Sequence, residues 1–316
     1  MTNNLPKIDI CTLIYNGKNF IDKYFAGFLL QDFPKENIRI NLIDNSPSLD
    51  SYNYIKENYL DKNFPITINL FRSTKNLGFS GGNNFLFEKF IDDLDYPYFF
   101  LLNQDGSLKE NCLKELALNI SKFPDTGMLE AIQAPREHPK KYDPITFETS
   151  WCSGGGVLIN KIALKEVGFF DDKFFLYCED VDLSWRMWLK NWKCRTCPTA
   201  SYEHITEELD EDKNQSIRYF YSFRNGFFVN IKYNSFAQIL RYYIIAFLVC
   251  FKQDSERKKA FLKAYFFAQI YAPYYFLNRI INPIKNKPKW IYFNNFDFGE
   301  RRKFQDTPNG RIFLED

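Results

Sequence analysis

The sequence predicts an α/β protein: a mostly parallel sheet flanked by helices, followed by a helical, aromatic-rich C-terminal region. Two observations carry this. In the first half, short apolar runs of strand length alternate with stretches of helical periodicity, the pattern of strands joined by crossover helices. From Ser216 onward the runs become helical and strongly aromatic.

The elements follow in order. Ile8 to Ile14 is an apolar strand that ends at the turn signal Asn16-Gly17. A helical pattern runs from about Asn19 to Leu30 and stops before Pro34. Ile38 to Ile43 is a second strand, broken by Asp44-Asn45-Ser46-Pro47, and Ser51 to Tyr59 is helical. Ile66 to Phe71 is a third strand. The glycine-rich stretch 76–84 reads as a turn leading into a helix from Asn84 to Ile91. Tyr98 to Leu102 is a fourth strand, ending in Asn103-Gln104-Asp105-Gly106. Cys152 to Ile159 is strand-like but holds three consecutive glycines, 154–156, where another group must approach the backbone closely. Glu179 to Lys190 is a helix with acids in its first turn, and His204 is expected in a loop after Pro198. Two later helical segments, Tyr242 to Phe251 and Ala264 to Leu277, fall short of the about 20 apolar residues a membrane span requires. Such helices either lie flat on a lipid surface or pack as a subdomain on the sheet.

Composition narrows the function classes. The 316 residues carry 41 Lys+Arg against 39 Asp+Glu, without the basic excess of a duplex-binding protein, so no nucleic-acid partner is expected. The seven cysteines are scattered through apolar runs, and no secretory signal opens the chain. Both point to a reducing cytosol with the thiols as core residues. Cys194 and Cys197 form a CxxC, but zinc would need two more ligands, and His138 and His204 are the sole histidines.

In a sheet of this type ligands bind at the carboxyl ends of the strands. Here those ends carry Tyr15-Asn16, Asp44-Asn45, Arg72-Ser73 and Asn103-Gln104-Asp105. A carboxylate at a strand end suits a hard divalent cation, with Asn103 on the same side of the extended chain as Asp105 and His204 adding an imidazole from elsewhere. Glu179, Asp180 and Asp182 supply carboxylates at a helix start, where one can act as a general base. Acids there also complement the helix dipole, at about 0.3–1 kcal/mol each.

The ordered set Ile10–Asn16, Asp44-Asn45-Ser46, the 76–84 stretch, Asn103-Gln104-Asp105, Gly154–Ile159 and Gly168 through Leu183 resembles bacterial family-two glycosyltransferases of GT-A fold, rhamnosyltransferase-like branch. The resemblance covers about residues 8–232, ending in Tyr219–Asn225. It implies a glycosyltransferase domain over 1–232, followed by a helical C-terminal region, 233–316, that either meets a membrane surface or packs on the domain. It also implies an inverting transfer from a nucleotide-diphosphate sugar, dTDP-rhamnose or a UDP-sugar, to a growing glycan or lipid-linked oligosaccharide.

By that resemblance Asp44 reads the pyrimidine, and Tyr15, Asn16, Asn76, Gly78, Asn83 and Gln104 line the donor nucleotide. Asn103-Gln104-Asp105 stands at the Asp-x-Asp metal motif, with His204 completing a Mg²⁺ or Mn²⁺ site. Asn103 gives that site one negative charge fewer. Asp180 matches the catalytic base, with Glu179 beside it as second candidate. Trp151, Gly155, Asp182 and Arg224 are expected near the acceptor or diphosphate. The competing readings are a catalytically silent sugar-nucleotide or glycan-binding module, suggested by Asn103, and a nucleotidyltransferase, whose basic glycine-rich loop Tyr15–Lys18 is too short to form.

Overall fold

The computed structural model describes residues 5–137, 140, 142–204, 215–284, 287–288, 291, 302–307 and 310–314. His138 lies outside them. The first half forms in the expected order: β1 (Ile8–Ile14), α1 (Ile21–Leu29), β2 (Ile38–Asp44), α2 (Asp50–Asn58), β3 (Thr67–Arg72), α3 (Gly78–Phe90) and β4 (Tyr98–Leu102). Next come β5 (Gly106–Leu108), α4 (Cys112–Lys122), β6 (Thr126–Ala134), β7 (Arg136–Glu137), β8 (Gly156–Asn160), α5 (Lys161–Val167), α6 (Glu179–Leu189) and β9 (Lys193–His204). Three helices follow, α7 (Gln215–Tyr233), α8 (Phe236–Cys250) and α9 (Ser255–Ile281), and then β10 (Arg302–Thr307) and β11 (Gly310–Leu314).

Eight strands make one sheet in the order β3-β2-β1-β4-β8-β6-β9-β5. β1, β2, β3 and β4 run parallel, as do β6 and β9, while β8 and β5 run against their neighbours. Register gathers the functional residues at one rim. Ile14 pairs with Asp44, Leu102 with Gly156, and Gly106 with His204. The reversed strands thus start where the forward ones end.

Alternating side chains fill two cores. Phe99 and Leu101 face one, with α3, α5 and α6, while Phe100 and Leu102 face the other, with α1 and α4. Both phenylalanines are fully buried, so truncating either removes about 3–5 kcal/mol. Cys194 belongs to the first core and Cys197 to the second, so the two thiols lie on opposite faces and cannot share an ion. All seven thiols are free. The C-terminal helices join the first core through Phe227, Phe228, Phe261 and Tyr275. The region after 233 is not helical throughout: β10 and β11 form a three-stranded sheet with β7.

Two expectations are corrected. The stretch 76–84 is not a turn before a helix at Asn84, because α3 already begins at Gly78. His204 is not in a loop. It is the last residue of β9, a 12-residue strand that carries Pro198 within it.

The rim opposite the strand ends holds a buried charge network. The Asp9 carboxylate accepts from Arg39 Nε at 2.6 Å, Asn41 Nδ2 at 2.9 Å and Lys161 Nζ at 2.7 Å. Lys161 Nζ also donates to the carbonyls of Phe90 and Asp93, and Arg39 reaches the Asp93 carboxylate at 2.8 Å. With every partner in place, the burial penalty of these charges is offset.

Candidate active site

The strand order reverses between β1 and β4, and in open α/β sheets ligands bind in the gap beyond the strand ends at such a point. Gln104 spans it. Its Oε1 accepts from the Tyr15 N–H at 2.8 Å, and its Nε2 donates to the Tyr15 carbonyl at 3.0 Å. Asn16, with φ +50°, donates its N–H to Ser46 Oγ at 2.8 Å, and Ser46 N–H donates to Asp44 Oδ1 at 2.8 Å. The other Asp44 oxygen is buried without a partner, as is Asn45 Oδ1. A buried acceptor left unbonded costs about 1–3 kcal/mol, which a ligand bearing an N–H would recover.

Next to Asp44, the start of α3 is built by contacts from far along the chain. Asn76 Oδ1 accepts from Gly78 N–H at 2.9 Å. The first-turn N–H groups of Phe79 and Ser80 donate to the Phe175 carbonyl at 2.7 and 3.4 Å. Gly78 has φ +69°, and a Cβ there would lie 2.5 Å from that carbonyl oxygen, so glycine is required twice over. Asn83 is buried, and its Nδ2 donates to Phe79 O within the helix, which turns that donor away from a nucleotide.

The predicted metal ligands meet. His204 Nε2 lies 3.3 Å from Asp105 Oδ1 and 3.3 Å from Asn103 Nδ2, while its Nδ1 is buried without a partner. A carboxylate, an imidazole nitrogen and an amide oxygen (after rotation of the Asn103 amide) form a donor set suited to Mg²⁺ or Mn²⁺. These residues fit such an ion.

Asp180 reaches the same place through two adjacent glycines. Asn103 N–H donates to the Gly155 carbonyl at 3.1 Å, and Gly154 N–H donates to Asp180 Oδ2 at 3.0 Å. The second Asp180 oxygen accepts from Val181 N–H at 2.8 Å. Gly155 must be glycine, because a Cβ would stand 2.5 Å from the Tyr202 hydroxyl and 3.5 Å from Asn103 Nδ2. The helix start near Glu179 is therefore on the same side of the molecule as the end of β4.

Burial raises the Asp180 pKa, while the two backbone N–H groups and nearby Lys140 oppose the rise and keep the anion accessible. Glu179 differs. Burial and then the Asp180 charge push its pKa well up, and its Oε2 has no partner. Of the two carboxylates, Asp180 is the one bonded to the glycine pair beside Asn103. Lys140, absent from the sequence reading, is ion-paired with Glu130, donates to Trp151 O at 2.8 Å and sits 4.3 Å over the Trp151 ring. Burial lowers its pKa to about 8. Neither Lys140 nor Glu130 lies in a motif, so nothing in the linear sequence marks the pair. Trp151 is half-buried beneath this ammonium.

Two residues expected on the acceptor side, Asp182 and Arg224, are engaged within the fold. Asp182 is fully buried, bonded to Arg186 Nε at 2.9 Å, Tyr233 Oη at 2.7 Å and Lys232 Nζ at 2.5 Å. Burial pushes its pKa up, but the Lys232 and Arg186 charges prevail and hold it at about 2. Arg224 is also buried and grips the chain before α6. Its NH2 donates to Lys173 O at 2.7 Å and Phe174 O at 2.8 Å, and Asn225 Nδ2 donates to the carbonyls of Phe174, Leu176 and Tyr177. That segment contains Phe175, Tyr177 and Cys178, all with φ between +61° and +69°. Such backbone costs on the order of 1–3 kcal/mol per residue and persists only where surrounding contacts enforce it.

This fold, with its polar cluster at the strand ends, is the GT-A glycosyltransferase architecture. The model of "Glycosyl transferase family 2" matches residues 9–184, more than half of the chain, and the chain belongs to that family. A second model, "Glycosyl transferase family group 2", matches residues 142–283. An N-acetylglucosaminyl-diphospho-decaprenol L-rhamnosyltransferase of Mycobacterium tuberculosis is 34% identical over 65 residues, 21% of each chain. The low-salt glycan biosynthesis hexosyltransferase Agl10 of Haloferax volcanii is 22% identical over 181 residues, 48% of this chain and 56% of its own length. The matches therefore span about a fifth and just over half of those relatives. Among solved structures, the mannosyltransferase PcManGT of Pyrobaculum calidifontis, in complex with GDP-Man and Mn²⁺, superposes with TM-score 0.55 at 12% identity, over 88% of this chain and 74% of that one. GalNAc-T7 with UDP, GalNAc and Mn²⁺ gives 0.61 at 15% identity, over 90% and 59%.

Proposed function

We propose that the chain is an inverting, metal-dependent, rhamnosyltransferase-like enzyme that moves a sugar from a nucleotide diphosphate, dTDP-rhamnose or a UDP-sugar, to a lipid-linked oligosaccharide. It would act at the inner face of the cytoplasmic membrane. The observation that carries this reading is the bridge Asn103–Gly155–Gly154–Asp180, which sets one candidate base beside the Asp105–His204 cluster.

The acceptor hydroxyl gives its proton to Asp180 as its oxygen bonds to the anomeric carbon. The bond from that carbon to the diphosphate oxygen breaks on the opposite side, so configuration inverts and no covalent enzyme intermediate forms. Asp44 holds the base of the nucleotide through its unbonded oxygen, and the Tyr15–Gln104 clamp walls the pocket. Asp105, His204 and Asn103 would hold Mg²⁺ or Mn²⁺, which when bound neutralises charge on the departing diphosphate. The mycobacterial relative's diphospho-decaprenol acceptor supports a lipid carrier here.

A thermal-shift screen of nucleotide sugars with and without Mn²⁺ tests the donor site. A donor at 100 times its dissociation constant should stabilise the fold by about 2.7 kcal/mol. Stabilisation with no metal-dependent release of nucleotide would identify a silent binding module instead. No stabilisation by any donor would remove the proposal.

A further inference from the structure

We infer that α8 and α9 form a docking face for an anionic lipid surface. α9 is apolar on two opposite sides. Ala260, Phe261, Ala264, Ala268 and Tyr275 are buried, and Phe261 and Tyr275 pack against Phe227 and Phe228 of α7. On the other side Leu262, Phe266, Ile270, Leu277 and Ile281, four or seven apart, are 52%, 65%, 57%, 56% and 64% exposed. On α8 and its C-cap, Leu240, Ile244, Phe247 and Phe251 repeat the helical spacing and are exposed as well. Scattered exposed apolar residues are ordinary, but a row of them at helical spacing on each of two consecutive helices marks a surface that something covers.

Charge selects the occupant. Residues 236–281 carry seven basic side chains (Arg241, Lys252, Arg257, Lys258, Lys259, Lys263 and Arg279) against two acidic ones, Asp254 and Glu256. That is a net +5 in a chain whose total is +2, so the remainder carries −3. One of the two acids, Asp254, is taken up as the α9 N-cap, accepting from Arg257 N–H at 2.9 Å. Lys259 and Lys263 share the side of α9 that carries Leu262 and Phe266, and both are exposed. A second copy would bring two basic faces together. A bilayer of anionic headgroups attracts the lysines while its acyl boundary takes the apolar rows. Among the described residues no helix is long and apolar enough to cross a membrane, so the helices would lie in the headgroup plane.

This deepens the lipid-linked-acceptor reading but is tested apart from it. The full-length protein is co-sedimented, without substrates, with phosphatidylcholine vesicles and with vesicles also containing phosphatidylglycerol. The expected result is binding to the second set only, lost in high salt. Lys259→Glu with Lys263→Glu should weaken it about tenfold or more. Phe266→Asp with Ile270→Asp should abolish it, with unfolding midpoint and nucleotide release into water unchanged. Equal binding to both vesicle types, no binding to either, or a dimer in sedimentation velocity that the Phe266/Ile270 variant dissociates would overturn the inference. Loss of nucleotide release in every variant, wild type included, would instead strike the reaction assignment.

Discussion

The two rims of the sheet treat buried charge in opposite ways. Beneath β1 and β4, Asp9, Arg39, Asn41 and Lys161 satisfy one another. Above the same strands, Asp44 Oδ2, Asn45 Oδ1, Glu179 Oε2 and His204 Nδ1 are buried without partners. A closed network specifies the fold, whereas open valences are tolerated where a ligand will supply what is missing. The same strands serve both ends, so stability and function separate along the strand axis.

Substitutions can break or sharpen this contrast. The largest effect is expected at the upper rim: Asp180→Asn should lower kcat by about 10²–10⁴-fold with donor affinity nearly unchanged, measured by steady-state kinetics and calorimetric titration. Near-normal turnover would remove Asp180 as the base. At the lower rim, Lys161→Met leaves Asp9 buried with less compensation and should cost about 3–5 kcal/mol in chemical denaturation. Donor affinity of the folded fraction should not change, and a variant with altered affinity but intact stability would collapse the distinction. Between them stands Asn225→Ala, which frees three carbonyls of the strained segment before α6. It should cost about 1–3 kcal/mol and lower kcat more than it raises KM.

The smallest effects are pH-dependent and of opposite sign. Glu179 has a folded pKa above its unfolded one, so the folded state holds its proton more tightly, and stability falls as pH rises from the unfolded value near 4.5 through the folded one. Glu179→Gln should therefore raise the unfolding midpoint at neutral pH and match wild type in acid. Asp182 is the reverse. Its folded pKa of about 2 lies below the ordinary 3.8, so its contribution is full above about 4 and is lost as pH falls through 2. Asp182→Asn should therefore lower the unfolding midpoint at neutral pH and flatten the acid limb of the stability profile, converging on wild type only as pH approaches 2.

The alternation of the first half was legible because β4 reads as a continuous apolar run, while the polar Asp9, Arg39 and Asn41 of β1 and β2 each fall between Ile or Leu residues. Their polar ends exposed the site in outline. What stayed hidden depends on partners distant in sequence. Glycine lowers helix propensity, so 78–82 reads as a turn, yet the Phe175 carbonyl caps the first turn and α3 begins there. Pro198 reads as a strand breaker, yet β9 pairs on both sides of an irregularity in its pairing with β6 and carries His204 to its end. Asp182 and Arg224 sit in motifs beside the base and read as ligand contacts, but their partners Lys232 and the carbonyls of 173–174 become neighbours only when α7 docks.

The amide of Gln104 has the same donor and acceptor pair as a peptide unit. By bonding both the N–H and the carbonyl of Tyr15, it acts as one more rung of the ladder, set where the β1 and β4 backbones have already parted. The wall against which a nucleobase would lie is thus held in place before any donor arrives. Ordering that wall takes nothing from the free energy of association, and Gln104→Ala should appear as slower, weaker donor capture with an unaltered chemical step.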